Sequence, residues 1–378
     1  MKTVFAGRRA LLGSALSLPF IRGASAQGND PYVVGTLFPL SGPNGEYGAV
    51  FTAGTQLALQ HLEQDRVLKR PVRLQAEDTQ ALPQQAVVGM NKLVSVDRAH
   101  WVLSAFTAVS KAIAPVGDRA KTVMVNGGAV GPDLSGLSPY FWNVIPLAHL
   151  ETQALLPYLV RQKGARRIAL VYVDDPLGDA ILGILKNELP KVGAELVGSF
   201  SVPRTAQQFS PVAARVRQVR PDAVYVASFG AQQSQIIKGL RDNGVSQLLC
   251  SYSAMNLDSV RTLPESNGLI FTGQKVDYEG GDAVTKRFAE DFRKANGGKE
   301  PTIYNVNYYN ATRLFGLLAA EIEKANGTVG GDTLREVLLR IRKFPLVGGT
   351  GEFDDLGNMM AAIEVKEFRD GRAVTIGG

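Results

Sequence analysis

The sequence predicts an α/β fold with two lobes, each built on a doubly wound parallel sheet. The chain has 378 residues, 45% hydrophobic and 20% charged, and exceeds what one hydrophobic core usually organises. Short β-branched or apolar runs alternate with longer stretches of helical period, as in βα units stacked into parallel sheets. This alternation occurs in two series along the chain, and we expect one lobe from each.

The first residues read as an export signal. Arg8 and Arg9 precede an apolar stretch, Ala10 to Phe20, and the small residues before Gln27 favour cleavage after Ala26. The apolar stretch has about eleven residues, whereas a membrane span needs about twenty, so we predict a cleaved signal over residues 1–26 and a periplasmic mature chain. The paired arginines resemble a twin-arginine leader but also occur in general secretory leaders, and both routes stay open.

The charge of the chain gives little reason to expect a nucleic-acid partner. The formal net charge is +6, but four basic residues lie in the first 26 positions, which leaves +2 for the remainder. The other lysines and arginines are spread along the chain instead of clustered, so no phosphate-binding face is predicted. A single cysteine, Cys250, excludes an intramolecular disulfide.

The first series predicts four strands separated by helical stretches. The strands are Tyr32 to Phe38, Val72 to Ala76, Trp101 to Leu103 and Val123 to Asn126. Val50, Phe51, Gly54, Leu57 and Ala58 recur at helical spacing, as do Val87, Met90, Leu93 and Val94.

The second series predicts five strands and three helices. The strands are Ile168 to Val173, Glu195 to Phe200, Ala223 to Ala227, Gln247 to Cys250 and Leu269 to Thr272. The helices are Ala180 to Val192, Phe209 to Val219 and Gln232 to Asn243. Gly164, Gly193 and Gly244 each follow a helical run, as left-handed caps prefer.

The rest of the chain again contains long helical stretches, as the first series does. Helices are predicted over Ala283 to Ala295, Tyr304 to Ala325 and Thr333 to Ile341, and a strand over Ala361 to Phe368. No long linker separates two domains, so the lobes need tight crossings, with candidates at Trp142 to Pro146, Thr272 to Lys275 and Gly351 to Asp354. We therefore assign residues 27–143 plus 274–351 to lobe one and residues 144–273 plus 352–378 to lobe two.

Small residues follow three strands of the first series. The segments are Pro39 to Gly48, Ser104 to Ser110 and Gly127 to Gly131. In open α/β sheets ligands bind beyond the carboxyl ends of the strands. Glycine turns and helix starts there allow close approach and offer N–H donors to an anion such as a carboxylate. Asp174 and Asp175 also follow a strand, where acid–base chemistry or a cation is conceivable, but Asp before Pro176 favours a turn.

Motifs that carry catalysis are not found in the sequence. There is no Gly-x-Ser-x-Gly elbow, phosphate-binding loop, cysteine pair or His-Glu-x-x-His. The three histidines, His61, His100 and His149, lack metal-ligand spacing. We expect a protein that is not an enzyme, with no catalytic residues, no metal and no cofactor.

At its strand-end loops the sequence resembles the periplasmic leucine/isoleucine/valine-binding protein family, the type I periplasmic binding proteins of ABC importers. The similarity extends from Tyr32 to about Val374 and depends on the order and spacing of several short pieces. These are Leu40-Ser41-Gly42-Pro43 with Tyr47-Gly48, Ala114-Pro115-Val116, Gly131-Pro132-Asp133-Leu134, Pro176-Leu177-Gly178, Phe209-Ser210 and Pro221-Asp222-Ala223-Val224.

The resemblance implies two lobes joined by three crossings, which close on a small-molecule ligand and then deliver it to inner-membrane permease subunits. It implies that the segment from Ser104 through Phe106 to Thr107 holds the ligand carboxylate. It also implies ligand contacts from Gly128, Ala129 and Val130, and an aromatic pocket wall at Tyr47. Leu177, Phe229 and Ser253 match ligand-contacting positions on the facing lobe, and Tyr308 matches a family tyrosine.

Two departures from the family bear on the ligand. Relatives that bind α-amino acids commonly have a hydroxyl where Val130 stands and a Glu where Ser253 stands, and both satisfy the ammonium group. Because burying an unpaired ammonium is costly, one hypothesis is an aromatic or keto acid without an amine. The alternative is a hydrophobic amino acid whose ammonium is paired by Glu46 or Asp175.

The expected function is the substrate-binding component of an importer of the branched-chain amino acid transport family, acting as a monomer. A ligand-sensing receptor with the same fold is the alternative, because fold does not determine function. An exported enzyme would need a site that the sequence does not show.

Overall fold

The fold is seen in a computed structural model, which describes residues 30–377. The expected export signal over residues 1–26, with its cleavage after Ala26, lies outside the described residues. Among residues 30–377 no helix is long and apolar enough to cross a membrane.

The first lobe is built on a five-stranded parallel sheet. Its strands are β1 (Tyr32–Phe38), β2 (Val72–Asp78), β3 (Trp101–Ser104), β4 (Val123–Asn126) and β5 (Phe141–Asn143), in the order β2-β1-β3-β4-β5. Helices α1 (Gly45–Gln64), α2 (Pro83–Ser95) and α3 (Thr107–Ala120) connect them. Every residue of β1, β3 and β4 is buried, as expected when helices cover both faces of a sheet.

The second lobe is built on a larger sheet. Its parallel strands are β6 (Arg167–Val173), β7 (Glu195–Val202), β8 (Ala223–Ala227), β9 (Leu248–Ser251) and β10 (Ile270–Gln274). Its helices are α4 (Ala148–Lys163), α5 (Pro176–Glu188), α6 (Ser210–Gln218), α7 (Gly230–Asp242) and the short α8 (Asp258–Arg261). Gly164 ends α4 with a φ of +68°, which confirms the left-handed cap predicted there.

The chain then returns to the first lobe. Helices α9 (Ala283–Ala295), α10 (Ile303–Lys324) and α11 (Gly331–Ile341) follow, and α10 packs along α1. A small antiparallel sheet of β11 (Lys343–Leu346), β12 (Gly349–Phe353) and β13 (Met359–Met360) follows them. Asn310 of α10 anchors this sheet, because its side chain bonds both the N–H and the carbonyl of Val347 at 2.8 and 3.0 Å.

The last two strands complete the second sheet. Strands β14 (Ile363–Arg369) and β15 (Arg372–Gly377) pair antiparallel, and the sheet has the order β15-β14-β10-β9-β8-β6-β7. The strand predicted over Ala361 to Phe368 corresponds to β14, but its antiparallel direction was not predicted, and no strand was predicted at β15.

Three passages connect the two lobes, as the resemblance implied. They lie between β5 and α4, between β10 and α9, and between β13 and β14. The first two lie close to the predicted crossings. Gly351 and Asp354 lie in β12 and the turn after it, so the third passage comes later, after Met360. There the N–H of Lys275 donates to the carbonyl of Ala362 at 2.8 Å, which ties the second passage to the third.

Candidate functional site

A cavity lies between the lobes, at the carboxyl ends of the strands of both sheets, and the roughly 340 Å³ of space between its atoms includes volume open to solvent. The first lobe lines it with Tyr47, Phe106, Thr107, Gly128, Ala129, Val130 and Tyr304. The second lobe lines it with Asp175, Leu177, Phe229, Tyr252 and Ala254. A molecule held there contacts both lobes at once.

The amino end of α3 forms one wall. Its first helical hydrogen bond runs from Ser110 N to Phe106 O, so the N–H groups of Thr107, Ala108 and Val109 have no acceptor within the helix. No acidic residue lies in the first turn of α3. The partial positive charge of the helix end therefore favours an anionic ligand group at Thr107.

The loop after β4 is held by Asn126, which is fully buried. Its Oδ1 accepts hydrogen bonds from the N–H groups of Gly128 and Ala129, at 3.1 and 2.7 Å. Its Nδ2 donates to the Ala129 carbonyl and to Asn143 Oδ1, at 2.7 and 2.8 Å. Gly128 and Ala129 line the cavity, but their N–H groups already donate to Asn126.

Aromatic rings form the apolar part of the cavity. Tyr47 contacts Phe106 and Tyr304 edge to face, with centroids 5.5 and 5.4 Å apart. Phe106 contacts Phe229 of the other lobe at 5.3 Å. Burial raises the pKa of Tyr47 and of Tyr304, so both hydroxyls stay protonated at neutral pH. These rings suit an apolar or aromatic ligand body.

Asp175 is the carboxylate that lines the cavity. It caps α5, because its Oδ1 accepts from the N–H groups of Leu177 and Gly178 at 2.8 and 3.2 Å. Burial raises the pKa of Asp175, and the nearby charge of Arg204 acts against this rise. The Oδ2 atom takes no part in the cap.

Contacts across the cleft hold the lobes in a closed arrangement. Glu46 Oε1 accepts a hydrogen bond from Ser259 N at 3.0 Å. Gly230 has a φ of +61°, and a Cβ atom there would lie 2.1 Å from Asn44 Oδ1. A larger residue at Gly230 would therefore have to displace the Asn44 side chain of the other lobe.

A model of the periplasmic binding protein family matches residues 31–372. The chain belongs to this family. A two-lobed α/β body with a cavity between the lobes is what the resemblance implied, and the fold of this periplasmic binding protein confirms it.

Three distant proteins similar to this periplasmic binding protein span nearly its whole length. The Leu/Ile/Val-binding protein homolog 3 of Brucella melitensis is 22% identical and covers 96% of this chain and 98% of its own. The leucine-binding protein LivK of Thermotoga maritima has a TM-score of 0.83 at 20% identity, covering 92% of this chain and 98% of its own. A solute-binding protein of an R. palustris ABC transporter, solved with benzoate, has a TM-score of 0.81 at 17% identity, with coverages of 92% and 96%. At these identities the two solved structures show the fold.

The structure of the binding protein brings together eight of the eleven residues that the sequence singled out. Those that line the cavity are Tyr47, Phe106, Thr107, Gly128, Ala129, Val130, Leu177 and Phe229.

Ser104, Ser253 and Tyr308 are almost fully buried and lie outside the cavity lining. The Tyr308 hydroxyl donates to the carbonyl of Ser104 at 2.6 Å. The Ser253 hydroxyl donates to Glu151 Oε1 at 2.7 Å. These three side chains are positioned to support the cavity from behind.

Four residues of the lining were not selected as site residues from the sequence of this binding protein. They are Asp175, Tyr252, Ala254 and Tyr304. At Asp175 the sequence favours a turn, but the structure shows the residue in an extended conformation as the cap of α5. Tyr252 and Ala254 follow β9, where the strand-end rule could have found them. Tyr304 lies at the start of α10, and nothing in the local pattern marks it.

Metal binding has no support in the part of the chain that the structure describes. Residues 30–377 contain no group of three or more His, Cys, Asp or Glu placed to hold a metal ion. His61 is instead buried between Tyr309 and Asp291, at 2.7 and 3.0 Å.

Proposed function

We propose that this chain is the exported substrate-binding component of an ABC importer and that it binds a small carboxylate with an apolar or aromatic body. The observation that carries this proposal is the cavity between the lobes. There the amino end of α3 supplies donors for a carboxylate, and Tyr47, Phe106 and Phe229 supply apolar surface. The named relatives support it, because one is a leucine-binding protein and another was solved with benzoate.

The position of Asp175 favours a hydrophobic amino acid over an acid without an amine. A partly buried carboxylate repels an anion unless the ligand also carries a cation. The donors of α3 lie on one wall and Asp175 on the facing wall, so a zwitterion can place its carboxylate on the first lobe and its ammonium on the second. Glu46, the other acid that was considered, is instead bonded to Ser259 and does not line the cavity.

The eleven residues singled out from the sequence form the proposed site, eight as the lining and three as its support. Because the third passage comes after Met360, we assign residues 30–143 plus 275–360 to lobe one and residues 144–274 plus 361–377 to lobe two, in place of the boundary after residue 351 expected from the sequence. The proposed partners are the small-molecule ligand and inner-membrane permease subunits, with a monomer acting in the periplasm. Ligand contacts made with both lobes stabilise the closed form, and this difference in contacts is what shifts the equilibrium.

Calorimetric titration with leucine, phenylalanine and their keto-acid analogues tests the ligand class. We expect the amino acids to bind more tightly than the analogues. Tighter binding of the keto acids would contradict the amino-acid assignment but retain the carboxylate-binding proposal. Failure of every carboxylate to bind would contradict the proposed function itself.

A further inference from the structure

A buried carboxylate, Glu151, lies behind the second-lobe wall of the cavity. It belongs to the first turn of α4 and is 1% exposed. Its Oε2 accepts hydrogen bonds from Ser253 N and from the Thr272 hydroxyl, at 2.7 and 2.8 Å, and its Oε1 accepts one from the Ser253 hydroxyl at 2.7 Å. Within residues 30–377 no cationic side chain pairs with it. Three donors therefore stabilise its charge in place of a cation.

These three bonds join parts of the molecule that shape the cavity. Ser253 lies between Tyr252 and Ala254, which both line the cavity. Thr272 lies in the middle of β10, the strand that leads into the second passage between the lobes. α4 itself begins directly after the first passage. The segment Tyr252–Ala254, which we term the serine wall, is therefore tied to the hinge through Glu151.

Glu151 is the group of this region that titrates near neutrality. Burial raises its pKa to about 7, and the bonds from Ser253 and Thr272 act against this rise. Burial also raises the pKa values of the neighbouring Tyr225, Cys250, Tyr252 and Tyr304, so these groups stay neutral.

Charged groups on the elements packed against α4 are paired or exposed, apart from Asp175, which caps α5 and whose pKa burial also raises. On α5, Glu188 pairs with Lys191 of the following turn, and Asp179 and Lys186 are exposed. On β14, Glu364 pairs with Lys366, and Glu367 pairs with Arg369. On α4 itself, burial lowers the pKa of His149 below its ordinary value of 6.5, so this side chain is uncharged at pH 7.

We propose that ionised Glu151 is the positioning residue that holds the serine wall in its ligand-binding position, so that its protonation weakens ligand binding. The inference rests on the proposed function. A protonated carboxyl loses its charge and uses one oxygen as a donor, so Ser253 and Thr272 lose charge-assisted bonds, which are about twice as strong as neutral ones. Because ligand binding needs the serine wall in place, the liganded protein favours ionised Glu151. Ligand binding near pH 7 therefore releases protons.

The test is calorimetric titration with L-phenylalanine between about pH 5.5 and pH 8, in two buffers of different ionisation enthalpy. We expect the affinity of the wild type to fall roughly three- to tenfold towards the acid end, with proton release on binding. Near pH 7 Glu151→Gln should bind with the weaker affinity and lose the proton release of the wild type, while the contribution of Asp175 at the acid end remains in both proteins. Glu195→Gln is the matched control and should keep the wild-type profile, because Glu195, on the edge strand β7, is exposed and pairs with Arg167 of β6.

A second variant probes the same carboxyl without replacing it. Thr272→Val removes one donor to Glu151 and leaves Ser253 unchanged. The lost hydrogen bond favoured the ionised form, so the midpoint of the pH profile should move to higher pH. A midpoint that stays in place, or a Glu151→Gln variant that keeps the wild-type profile, overturns the proposal.

A measurement without ligand separates this inference from the proposed function. Near-ultraviolet circular dichroism of the unliganded protein reports the surroundings of Tyr252 and other aromatic side chains. A signal that titrates near pH 7 in the wild type and is lost in Glu151→Gln supports the positioning role even if phenylalanine fails to bind. Spectra of the wild type that do not change across this range overturn it.

Discussion

Glu46 at the start of α1 accepts a hydrogen bond from the backbone N–H of Ser259 at the start of α8, and this 3.0 Å bond crosses the cleft. The two residues belong to different lobes, so the bond exists only when the lobes are closed. A hydrogen bond to a charged group contributes about 1.5–3 kcal/mol. The bond therefore stabilises the closed form independently of the ligand.

Replacing Glu46 should shift the protein towards its open form. We expect Glu46→Ala to weaken ligand binding about tenfold and Glu46→Gln to weaken it less, because glutamine keeps an oxygen acceptor. Calorimetry and the radius of gyration from small-angle scattering measure both effects. Glu63→Ala, an exposed acid on the same helix, is the control, and an equal loss in both alanine variants would argue against the interlobe bond.

The close approach at Gly230 predicts a steric block to closure. A Cβ atom there would lie 2.1 Å from Asn44 Oδ1 of the other lobe, and the φ of +61° adds about 1 kcal/mol of strain for alanine. Because Asn44 must rotate away for the lobes to close, Gly230→Ala should bind ligand roughly two- to tenfold more weakly and show a smaller decrease in the radius of gyration on adding ligand. Gly183→Ala on α5 is the control, because its added Cβ meets nothing within 4 Å and should not affect closure. Its gain in helix propensity should leave stability unchanged or roughly 0.5–1 kcal/mol higher. Normal closure of Gly230→Ala would contradict the steric argument.

Much of the scaffold was predictable because its signals are local. The buried run Tyr32 to Phe38 reads as a strand without any knowledge of its neighbours. The helix predicted over Ala180 to Val192 begins four residues earlier in the structure, at Pro176, because Asp175 caps it instead of forming the expected turn. The antiparallel direction of β14 was not predictable, because strand direction depends on which strand it meets.

The support behind the cavity depends on contacts between distant parts of the chain. Glu151 and Ser253 are 102 positions apart, and their bond exists because α4 and the end of β9 pack together. Nothing in the residues around Glu151 distinguishes it from an ordinary surface acid of a helix. Asn126 likewise ended a predicted strand, but its bonds to Gly128 and Ala129 follow from a loop conformation that the sequence alone does not specify.

Thr107 predicts the effect of negative charge at the amino end of α3. It is 4% exposed, lines the cavity, and its Oγ1 accepts from Gly131 N at 3.2 Å. Thr107→Glu should abolish both ligand binding and the ligand-induced decrease in the radius of gyration, because a buried carboxylate would occupy the position of the ligand carboxylate. Thr350→Glu, at an exposed position of β12, should retain both. Compaction of Thr107→Glu on adding ligand would exclude this carboxylate position.

Glu151 also predicts how stability depends on pH. Its pKa in the folded protein is about 7, above its ordinary value of 4.5, so the folded state binds this proton more tightly than the unfolded state. The stabilising contribution of the neutral carboxyl is complete below about pH 4.5 and is lost as the pH rises through 7. Glu151→Gln has no carboxyl to titrate at this position. Between pH 4.5 and pH 8 the free energy of unfolding of the wild type should therefore fall by about 3 kcal/mol more than that of the variant. Denaturant titrations at the two pH values measure the difference, and Glu195→Gln is the control. If the free energy of unfolding changes with pH by the same amount in wild type and Glu151→Gln, the pKa of Glu151 lies near its ordinary value.

Asp175 predicts which ligands the protein prefers. Asn caps helices about as well as Asp, so Asp175→Asn should keep the bonds to Leu177 and Gly178 while removing the charge. If Oδ2 binds an ammonium group, affinity for phenylalanine should fall at least tenfold, whereas affinity for 3-phenylpropanoate should stay the same or rise because the repulsion is gone. Calorimetric titration with both ligands gives the ratio of the two affinities. Asp174→Asn, a change at the exposed neighbour, should leave that ratio unchanged. An equal loss for both ligands in Asp175→Asn would mean that the residue acts through the helix cap instead, and an unchanged ratio would remove Asp175 from ligand selection.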